Sequence, residues 1–462
     1  MPKTEGHATL LLCGADEFKS PVPVIIVLGP AKSSPDVMAA SLASWRRQIP
    51  EPCLIAIPSD VSRFGDQNFH GAAELRDLLA QLDRLFTVDH RRIYITGTNE
   101  GGSAALRTAM HLPDLFAAVV SADGPMDLRL IENLLHVKTM IYGASADKTL
   151  PANHWSHAWS ESLKKLKMPI SQSIYNPAKT TNPLVPFMDI DFAEKLLETK
   201  RPETLRRVAF IAPSPAFSHS AWVSIERFAS WPPNPRVDIQ VTEENKIEGK
   251  ASGVGELAVD LTGAEFSPDK NVTLAINGVV FYEGPYRSTL EADMQESAQT
   301  DTLSKSATLG GTLDEAFNGR AIYIYGSKDS DQWAAATKEA AQKAANRIDA
   351  EMPLPVLSDK EWLASNRFES NLFLFGGPAR NEAILSLGES LPVTFTQDGL
   401  KIGETLIHDD NSIVQFVYPN PWNPEKYVVV HWTRTPEAMR KADWNPSPWR
   451  FHLLPDGLID KI

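Results

Sequence analysis

Apolar runs alternate with segments of helical periodicity along the first 200 residues. Between the runs lie stretches with the helical spacing of apolar positions, such as Ala72–Leu85 and Gly102–His111. The apolar runs are Ala8–Cys13, Val22–Leu28, Cys53–Ile57, Arg92–Thr96, Phe116–Ser121, Lys138–Tyr142 and Ile170–Tyr175. Strands that alternate with helices indicate a mostly parallel sheet with both faces covered. We therefore predict a doubly wound α/β domain over residues 1–200.

The pattern changes after Arg201, where short strand-like runs follow one another without helices. Turn signals such as Asn277-Gly278 lie among them. The runs are Arg207–Ala212, Ala221–Phe228, Arg236–Val241, Gly255–Leu261 and Val272–Phe281. This pattern predicts a small antiparallel β domain over residues 201–287.

Residues 288–316 are polar, which is typical of a linker or a long loop. After them the α/β alternation resumes, with an alanine-rich helix at Ser330–Asn346 and another helix ending at Leu387. The strand-like runs here are Ala321–Tyr325, Asn371–Phe375, Pro392–Thr396, Ser412–Val417 and Tyr427–His431. We predict a smaller C-terminal α/β domain over residues 317–462.

The charge balance narrows the classes of partner. The chain has 58 acidic and 45 basic residues and a net charge of −13, which argues against non-specific binding to nucleic acid or to anionic lipid. No apolar run is long enough to span a bilayer. The segment Met1–Thr9 lacks the apolar core of a signal peptide, so we expect a cytoplasmic protein if Met1 is the natural start.

The two cysteines, Cys13 and Cys53, each lie in an apolar run. Small buried core residues are the preferred interpretation, over a disulfide. Neither cysteine has metal-ligand spacing, and no cofactor motif is present in full, so we expect neither a metal nor a cofactor.

The segment from Arg92 to Leu106 carries the most informative motif. An apolar strand runs into Gly97-Thr98-Asn99-Glu100-Gly101, and an alanine-rich helix follows. This is the layout of the G-x-S-x-G nucleophile elbow, in which glycines permit a strained strand-to-helix turn. Here the central residue is Asn99. The alternative is an ordinary strand–turn–helix, and Ser103, one turn into the helix, is a less favoured displaced nucleophile.

The segment Asp89–Leu106 resembles the corresponding stretch of prolyl oligopeptidase-like and esterase-like α/β-hydrolases. Tyr142–Pro151 resembles the turn of that family that supplies the triad acid, and this similarity assigns Asp147 to the acid position. Looser similarities to bacterial multidomain members lie at Arg206–Ile225, Ser370–Pro378 and Tyr418–Val430. The resemblance implies an α/β-hydrolase fold, and it also implies relatives that are often exported.

The departures from that family concern two of the three triad positions. Asn99 stands where the family has its serine, and residues 176–182, where the resemblance places the histidine, contain none. His154 and His157 follow Asp147 too closely, in a helix-like segment, and His219 is better explained as an exposed strand residue. An amide is not a nucleophile of this kind, and without histidine no group accepts the proton.

Other polar groups are expected at the carboxyl ends of the strands, beside the turn that contains Asn99. The resemblance makes the backbone of Glu100 and Gly29 the oxyanion-like positions. The carboxylates of Asp60, Glu100, Asp123 and Asp147 follow successive strands, where open α/β sheets bind ligands, so they are candidates for ligand binding. Capping of helices and turns is the preferred explanation.

The C-terminal third adds two weaker features. Tyr325-Gly326-Ser327 and Phe375-Gly376-Gly377 are turns that could hold a phosphate, although tight structural turns are preferred. Four tryptophans lie near the C-terminus: Trp422, Trp432, Trp444 and Trp449. We expect them to pack against a neighbouring domain, with a partner surface as the alternative.

Three functions remain open. The first is a catalytically inactive hydrolase-fold protein that acts by binding another protein or by self-association. The second is an active hydrolase, a peptidase or esterase, with a rearranged site. The third is a small-molecule binder that uses the former active-site pocket. The first hypothesis predicts an apolar patch or an edge strand within residues 201–462 rather than around Asn99.

Overall fold

A computed structural model gives the three-dimensional structure. It describes residues 21–29, 35–49, 51–58, 70–124, 129–144, 170–175, 190–229, 235–263, 266–294, 313, 316, 320–348, 354–365, 369–402, 405–442, 444, 452–454 and 457–461. Contacts divide the chain into two compact units. The first comprises Met1–Pro213, His219–Ser224 and Pro235–Ala292, and the second comprises Ser214–Ser218, Ile225–Asn234 and Asp293–Ile462. The four segments expected from the sequence, with boundaries after residues 200, 287 and 316, stay a prediction.

The first unit contains a six-stranded sheet in the order β2-β1-β3-β4-β5-β6, in which every neighbouring pair is parallel. Its strands are β1 Val22–Leu28, β2 Leu54–Ala56, β3 Val88–Thr98, β4 Ala118–Ala122, β5 Lys138–Ala144 and β6 Ile170–Tyr175. Its helices are α1 Pro35–Gln48, α2 His70–Leu85, α3 Glu100–His111 and α4 Ile190–Glu198. The mostly parallel, doubly wound sheet predicted from the sequence is confirmed. The predicted strand Ala8–Cys13 lies outside the described residues.

The apolar content of the strands accounts for this sheet. All seven residues of β1 are buried, as expected for a strand with both faces covered. On one face, Trp45 of α1 and Leu196 of α4 pack against Ile25 and Tyr94 in a single cluster. Cys53 is buried in that cluster, as predicted, and Cys13 lies outside the described residues.

Short strands follow β6 and form two further sheets, one in the order β14-β13-β11-β10-β7 and one in the order β15-β12-β9-β8. Their bounds are β7 Arg207–Ile211, β8 His219–Ser220, β9 Val223–Phe228, β10 Arg236–Glu243, β11 Lys246–Ser252, β12 Val254–Asp260, β13 Val272–Ile276, β14 Val279–Gly284 and β15 Thr289–Asp293. The β-rich character is confirmed, but β11 and β13 pair in parallel, so the first of these sheets is mixed.

The second unit has a seven-stranded sheet in the order β17-β16-β18-β23-β22-β25-β24 and a small sheet in the order β19-β20-β21. The strands are β16 Ala321–Tyr325, β17 Val356–Ser358, β18 Asn371–Phe375, β19 Thr394–Phe395, β20 Leu400–Ile402, β21 Thr405–Ile407, β22 Ser412–Asn420, β23 Asn423–Thr433, β24 His452–Leu454 and β25 Gly457–Lys461. The helices are α5 Asp331–Ile348, α6 Asp359–Ser365, α7 Glu382–Leu387 and α8 Pro436–Lys441. The expected C-terminal α/β arrangement is confirmed.

The tryptophans near the C-terminus lie in the core of this second unit. Trp444 packs edge-on against His431, with ring centroids 4.8 Å apart, and Trp422 lies 4.9 Å from Trp362. Trp432 is also buried. For these three the expectation of packing against a neighbouring domain is wrong, because β22, β23 and α6 already supply apolar partners. Trp449 lies outside the described residues.

Candidate functional site

Asn99 occupies the tip of a tight turn between β3 and α3. Its backbone has φ 50° and ψ −117°, an unusual conformation for a residue other than glycine. Its N–H donates to the carbonyl of Ala122 at 2.7 Å, and its own carbonyl accepts from the Ser103 N–H at 3.0 Å. The side chain is exposed and makes no hydrogen bond to the first turn of α3. The strand–turn–helix predicted around Asn99 is confirmed.

The glycines of the turn are required because backbones approach closely there. A Cβ added to Gly101 would lie 2.0 Å from the Leu28 carbonyl oxygen, and one added to Gly97 would lie 2.2 Å from the Gly101 oxygen. Such distances exclude any side chain without movement of the main chain. Gly124, which sequence reasoning did not single out, has the same role, since its Cβ would lie 2.5 Å from the Ser103 nitrogen. The sequence could have indicated this role, because Gly124 follows the apolar run of β4 by two residues.

The turn lies where the strand order of the sheet reverses. From β1 the chain runs through α1 to β2 on one side, and then returns through α2 to β3 on the other side. Ligands of open α/β sheets bind at the carboxyl ends of strands beside such a point. Gly29 follows β1, and its carbonyl oxygen would lie 2.7 Å from a Cβ on Gly101. The two oxyanion-like positions, Gly29 and Glu100, therefore lie beside each other.

Two of the four candidate carboxylates lie at this edge. Glu100 is the first residue of α3 and is exposed. Asp123 follows β4 with φ 53°, and its N–H donates to the Tyr142 carbonyl at 3.0 Å. Asp60 and Asp147 lie outside the described residues, as do His154, His157 and residues 176–182. Among the described residues, no group of three or more His, Cys, Asp or Glu side chains is placed to hold a metal ion.

The remaining sequence candidates have structural partners. The hydroxyl of Ser103 lies 3.3 Å from the Asn99 carbonyl oxygen, to which it donates. His219 is exposed in β8, and its Nδ1 lies 3.5 Å from Asp114 Oδ2, as expected for a strand residue at the surface. The Ser103 hydroxyl is thus bonded to the backbone of the turn, and the His219 ring lies beside a carboxylate.

A cavity of about 360 Å³ lies elsewhere in the first unit. Its lining includes Arg92, the fifth residue of β3, and Lys200, just after α4. The Arg92 guanidinium contacts Asp89 at 2.8 Å and Glu51 at 3.1 Å. Burial opposes ionisation of Asp89, but its hydrogen bonds from the Arg92 side chain and the Arg91 N–H hold its pKa below the usual value. Because Arg92 precedes Asn99 by seven residues of extended chain, a separation of roughly 20 Å, this cavity does not belong to the elbow.

The Gly326-Ser327 turn of the second unit is occupied by the chain's own carboxylate. Asp359 is fully buried and accepts hydrogen bonds from the backbone N–H groups of Ser327 at 3.2 Å and Glu382 at 2.7 Å, and from the Ser327 hydroxyl at 2.6 Å. A Cβ on Gly326 would lie 2.4 Å from the Arg380 carbonyl oxygen. These contacts support the interpretation of the first turn as a tight structural turn, and in the second the Gly376 N–H donates to the His431 carbonyl at 2.9 Å.

Comparison with known proteins gives a family match for the part of the chain around the elbow. Residues 64–172 match the model of the prolyl oligopeptidase family. No curated protein matches the chain. In the described part of the chain, no helix has the length and apolar character to cross a membrane.

Solved structures similar to this chain are hydrolases of several kinds. A thermostable esterase is 20% identical over 39% of this chain and 55% of its own, with a TM-score of 0.34. The enterobactin esterase of Shigella flexneri is 16% identical over 34% and 47%, with a TM-score of 0.27. A poly(3-hydroxybutyrate) depolymerase of Bordetella parapertussis is 15% identical over 34% and 73%, with a TM-score of 0.28.

The chain spans about half the length of the first two of these structures. The assignment of the first unit rests instead on its parallel sheet, on the turn at Asn99 and on the family match over residues 64–172. Together these make this part of the chain similar to the prolyl oligopeptidase family, with the parallel sheet and strand–turn–helix of an α/β-hydrolase fold.

Proposed function

We propose that this protein is a non-catalytic member of the α/β-hydrolase superfamily that acts by binding another protein or by self-association. The observation that carries the first half of this proposal is Asn99 at the tip of the elbow. That position presents the nucleophile of a serine hydrolase, and a carboxamide does not replace a hydroxyl as a nucleophile. The hydroxyl of Ser103, one turn into the helix, donates to the backbone instead.

The second half is supported by an apolar edge in the β-rich part of the first unit. Strand β14 is at the edge of its five-stranded sheet. Val279 and Val280 in this strand are 57% and 55% exposed. An exposed edge strand offers unpaired backbone groups to another strand, and its valines offer apolar area. This edge fits the expectation of a contact surface within residues 201–462.

The proposed absence of catalysis is tested with a fluorophosphonate probe and a p-nitrophenyl ester. We expect no labelling and no turnover for the natural chain, for Asn99→Ser, or for the control Asn99→Ala. Asn99→Ser supplies the hydroxyl but not the base, so turnover by that variant alone would reveal an overlooked histidine. Labelling of the natural chain would favour the active-hydrolase alternative.

The binding half is tested by light scattering after size exclusion, with pull-down from the native source. We expect the natural chain to form an oligomer or to recover a partner. The double variant Val279→Lys, Val280→Thr should abolish this association. Glu283→Gln, on the same strand, is the matched control and should have no effect. A monomer that recovers no partner but gains thermal stability with a metabolite would favour the small-molecule alternative.

A further inference from the structure

The backbone of Asn99 is held from both sides in its unusual conformation. The Asn99 N–H is bonded to Ala122, and the Asn99 carbonyl accepts from both the N–H and the hydroxyl of Ser103, at 3.0 and 3.3 Å. Because both flanking peptide groups are bonded, ψ stays near −117°. This value is far from the ψ of helices and strands, so the surrounding structure must maintain it.

At this ψ the next backbone nitrogen lies beside the Asn99 side chain. In an L-residue, Cβ is rotated by about 120° from the backbone nitrogen around the Cα–C bond. The Glu100 nitrogen is therefore nearly eclipsed with Cβ of Asn99, whereas helical or extended ψ values keep that nitrogen well away from Cβ. Glu100 is also the first residue of α3, where backbone N–H groups have no carbonyl partner within the helix.

We propose that Asn99 is a site of spontaneous deamidation in the folded protein. The Glu100 nitrogen attacks the side-chain carbonyl carbon of Asn99 and forms a five-membered succinimide ring. The bond from that carbon to Nδ2 breaks, and Nδ2 leaves as ammonia with the proton lost from the Glu100 nitrogen. Water then opens the ring at either carbonyl, which yields aspartate or isoaspartate. The native turn accelerates ring closure because it fixes the attacking nitrogen near its target.

The other asparagines with positive φ, Asn245 and Asn277, lack this arrangement. The carboxamide of Asn277 donates to the Ala251 carbonyl at 2.8 Å and accepts from the Ala251 N–H at 3.1 Å. Asn245 is buried, and its Nδ2 donates to the Ser267 carbonyl at 2.7 Å. These bonds hold both carboxamides in place, so they do not turn towards the next backbone nitrogen. Asn99 is exposed at a helix N-terminus, where the helix dipole stabilises the carboxylate that deamidation produces.

The chain supplies an internal control for the experiment. Asn277 precedes Gly278, which has no side chain to hinder attack, whereas Asn99 precedes the bulky Glu100. In an unfolded chain Asn277 should therefore deamidate faster. Trypsin places the two residues in separate peptides, 93–107 and 271–287. Fragmentation of the second peptide separates Asn277 from Asn271.

The natural chain is incubated at mildly alkaline pH, folded or in urea, and both peptides are quantified by mass spectrometry with isoaspartate detection. We expect Asn99 to convert at least about tenfold faster in the folded protein than in urea, and Asn277 to show the reverse order. In the variant Asn99→Gln the longer side chain could close only a six-membered ring, which forms more slowly, so peptide 93–107 should not deamidate. Conversion of Asn99 that is no faster in the folded protein than in urea would overturn the proposal.

Discussion

The imidazole of His431 shows how one buried group makes stability depend on pH. The ring stacks on Phe375 with centroids 4.2 Å apart, and its Nε2 lies 2.9 Å from Gln415 Nε2. Complete burial lowers the pKa of His431 from 6.5 to about 3. The native protein therefore keeps this ring neutral over a range of pH in which the unfolded chain protonates it.

We predict that the free energy of unfolding of the second unit falls as pH drops from 6.5 towards 3. Below 6.5 the unfolded chain binds a proton that the native chain does not, and at pH 5 the loss from His431 is about 2 kcal/mol. Urea unfolding at pH 7, 5 and 4 measures this free energy. His431→Gln, which keeps a polar partner for Gln415, should show a smaller loss. Equal pH dependence in both proteins would contradict this prediction.

At the scale of the element, one buried hydroxyl bonds the end of α4 to the central strand. Tyr94 on β3 donates to the carbonyls of Leu197 and Thr199, at 3.1 and 2.8 Å. Burial raises the pKa of the Tyr94 phenol, so it stays protonated and remains a donor. These carbonyls belong to the helix end, where such groups have no partner within the helix.

We predict that Tyr94→Phe lowers the free energy of unfolding by about 1–2 kcal/mol, because it leaves buried carbonyls without a donor. Tyr323→Phe is the matched control. The Tyr323 hydroxyl is buried and has no hydrogen-bond partner among the described residues, so its removal should be neutral or stabilising. Chemical denaturation of both variants is the measurement, and equal losses would contradict the argument.

Sequence periodicity predicted the elements that are apolar throughout, and missed those whose apolar pattern is broken. Val272–Phe281, expected as one strand, is a hairpin that turns at Asn277-Gly278. The turn signal was present, but the apolar run across it dominated. Strand β11, Lys246–Ser252, was missed because its residues are mostly polar or small. Strand β15, Thr289–Asp293, lies in the segment expected to be a linker, since tertiary pairing overrides weak local preference.

The candidate site was predictable to the extent that it is local in sequence. The turn around Asn99 followed from glycine spacing between a strand and a helix, and the structure confirms it. The positive φ of Asp123 and the bond from Asn99 to Ala122 were not predictable, because they depend on strands β3 and β4 becoming neighbours. Such pairings are contacts between distant parts of the chain, which periodicity does not specify.

At the scale of the whole molecule, the seven-stranded sheet has two apolar clusters that come from one stretch of the sequence. Among the described residues, both clusters draw their buried members from Ala316 to Trp444. A stretch with its own core is expected to fold by itself.

We predict that a fragment of residues 295–462 folds alone, with a cooperative urea transition followed by tryptophan fluorescence. The same fragment with Phe373→Ala is the control. Phe373 is fully buried, and its truncation should cost about 3–5 kcal/mol. A gradual, non-cooperative signal from the unaltered fragment would show that the second unit needs the rest of the chain.

Gly97 and Gly101 approach neighbouring main chain closely, and this affects what a G-x-S-x-G type of motif says about a sequence that carries it. The two glycines are needed because carbonyl oxygens lie within about 2 Å of where their side chains would be, and this holds whichever residue stands between them. Glycine spacing is thus a signature of backbone geometry, whereas the residue at position 99 reports on reactivity. A search that scores only the glycine spacing will group this chain with proteins that carry serine at the centre of the turn, and one that scores the central residue will separate it from them.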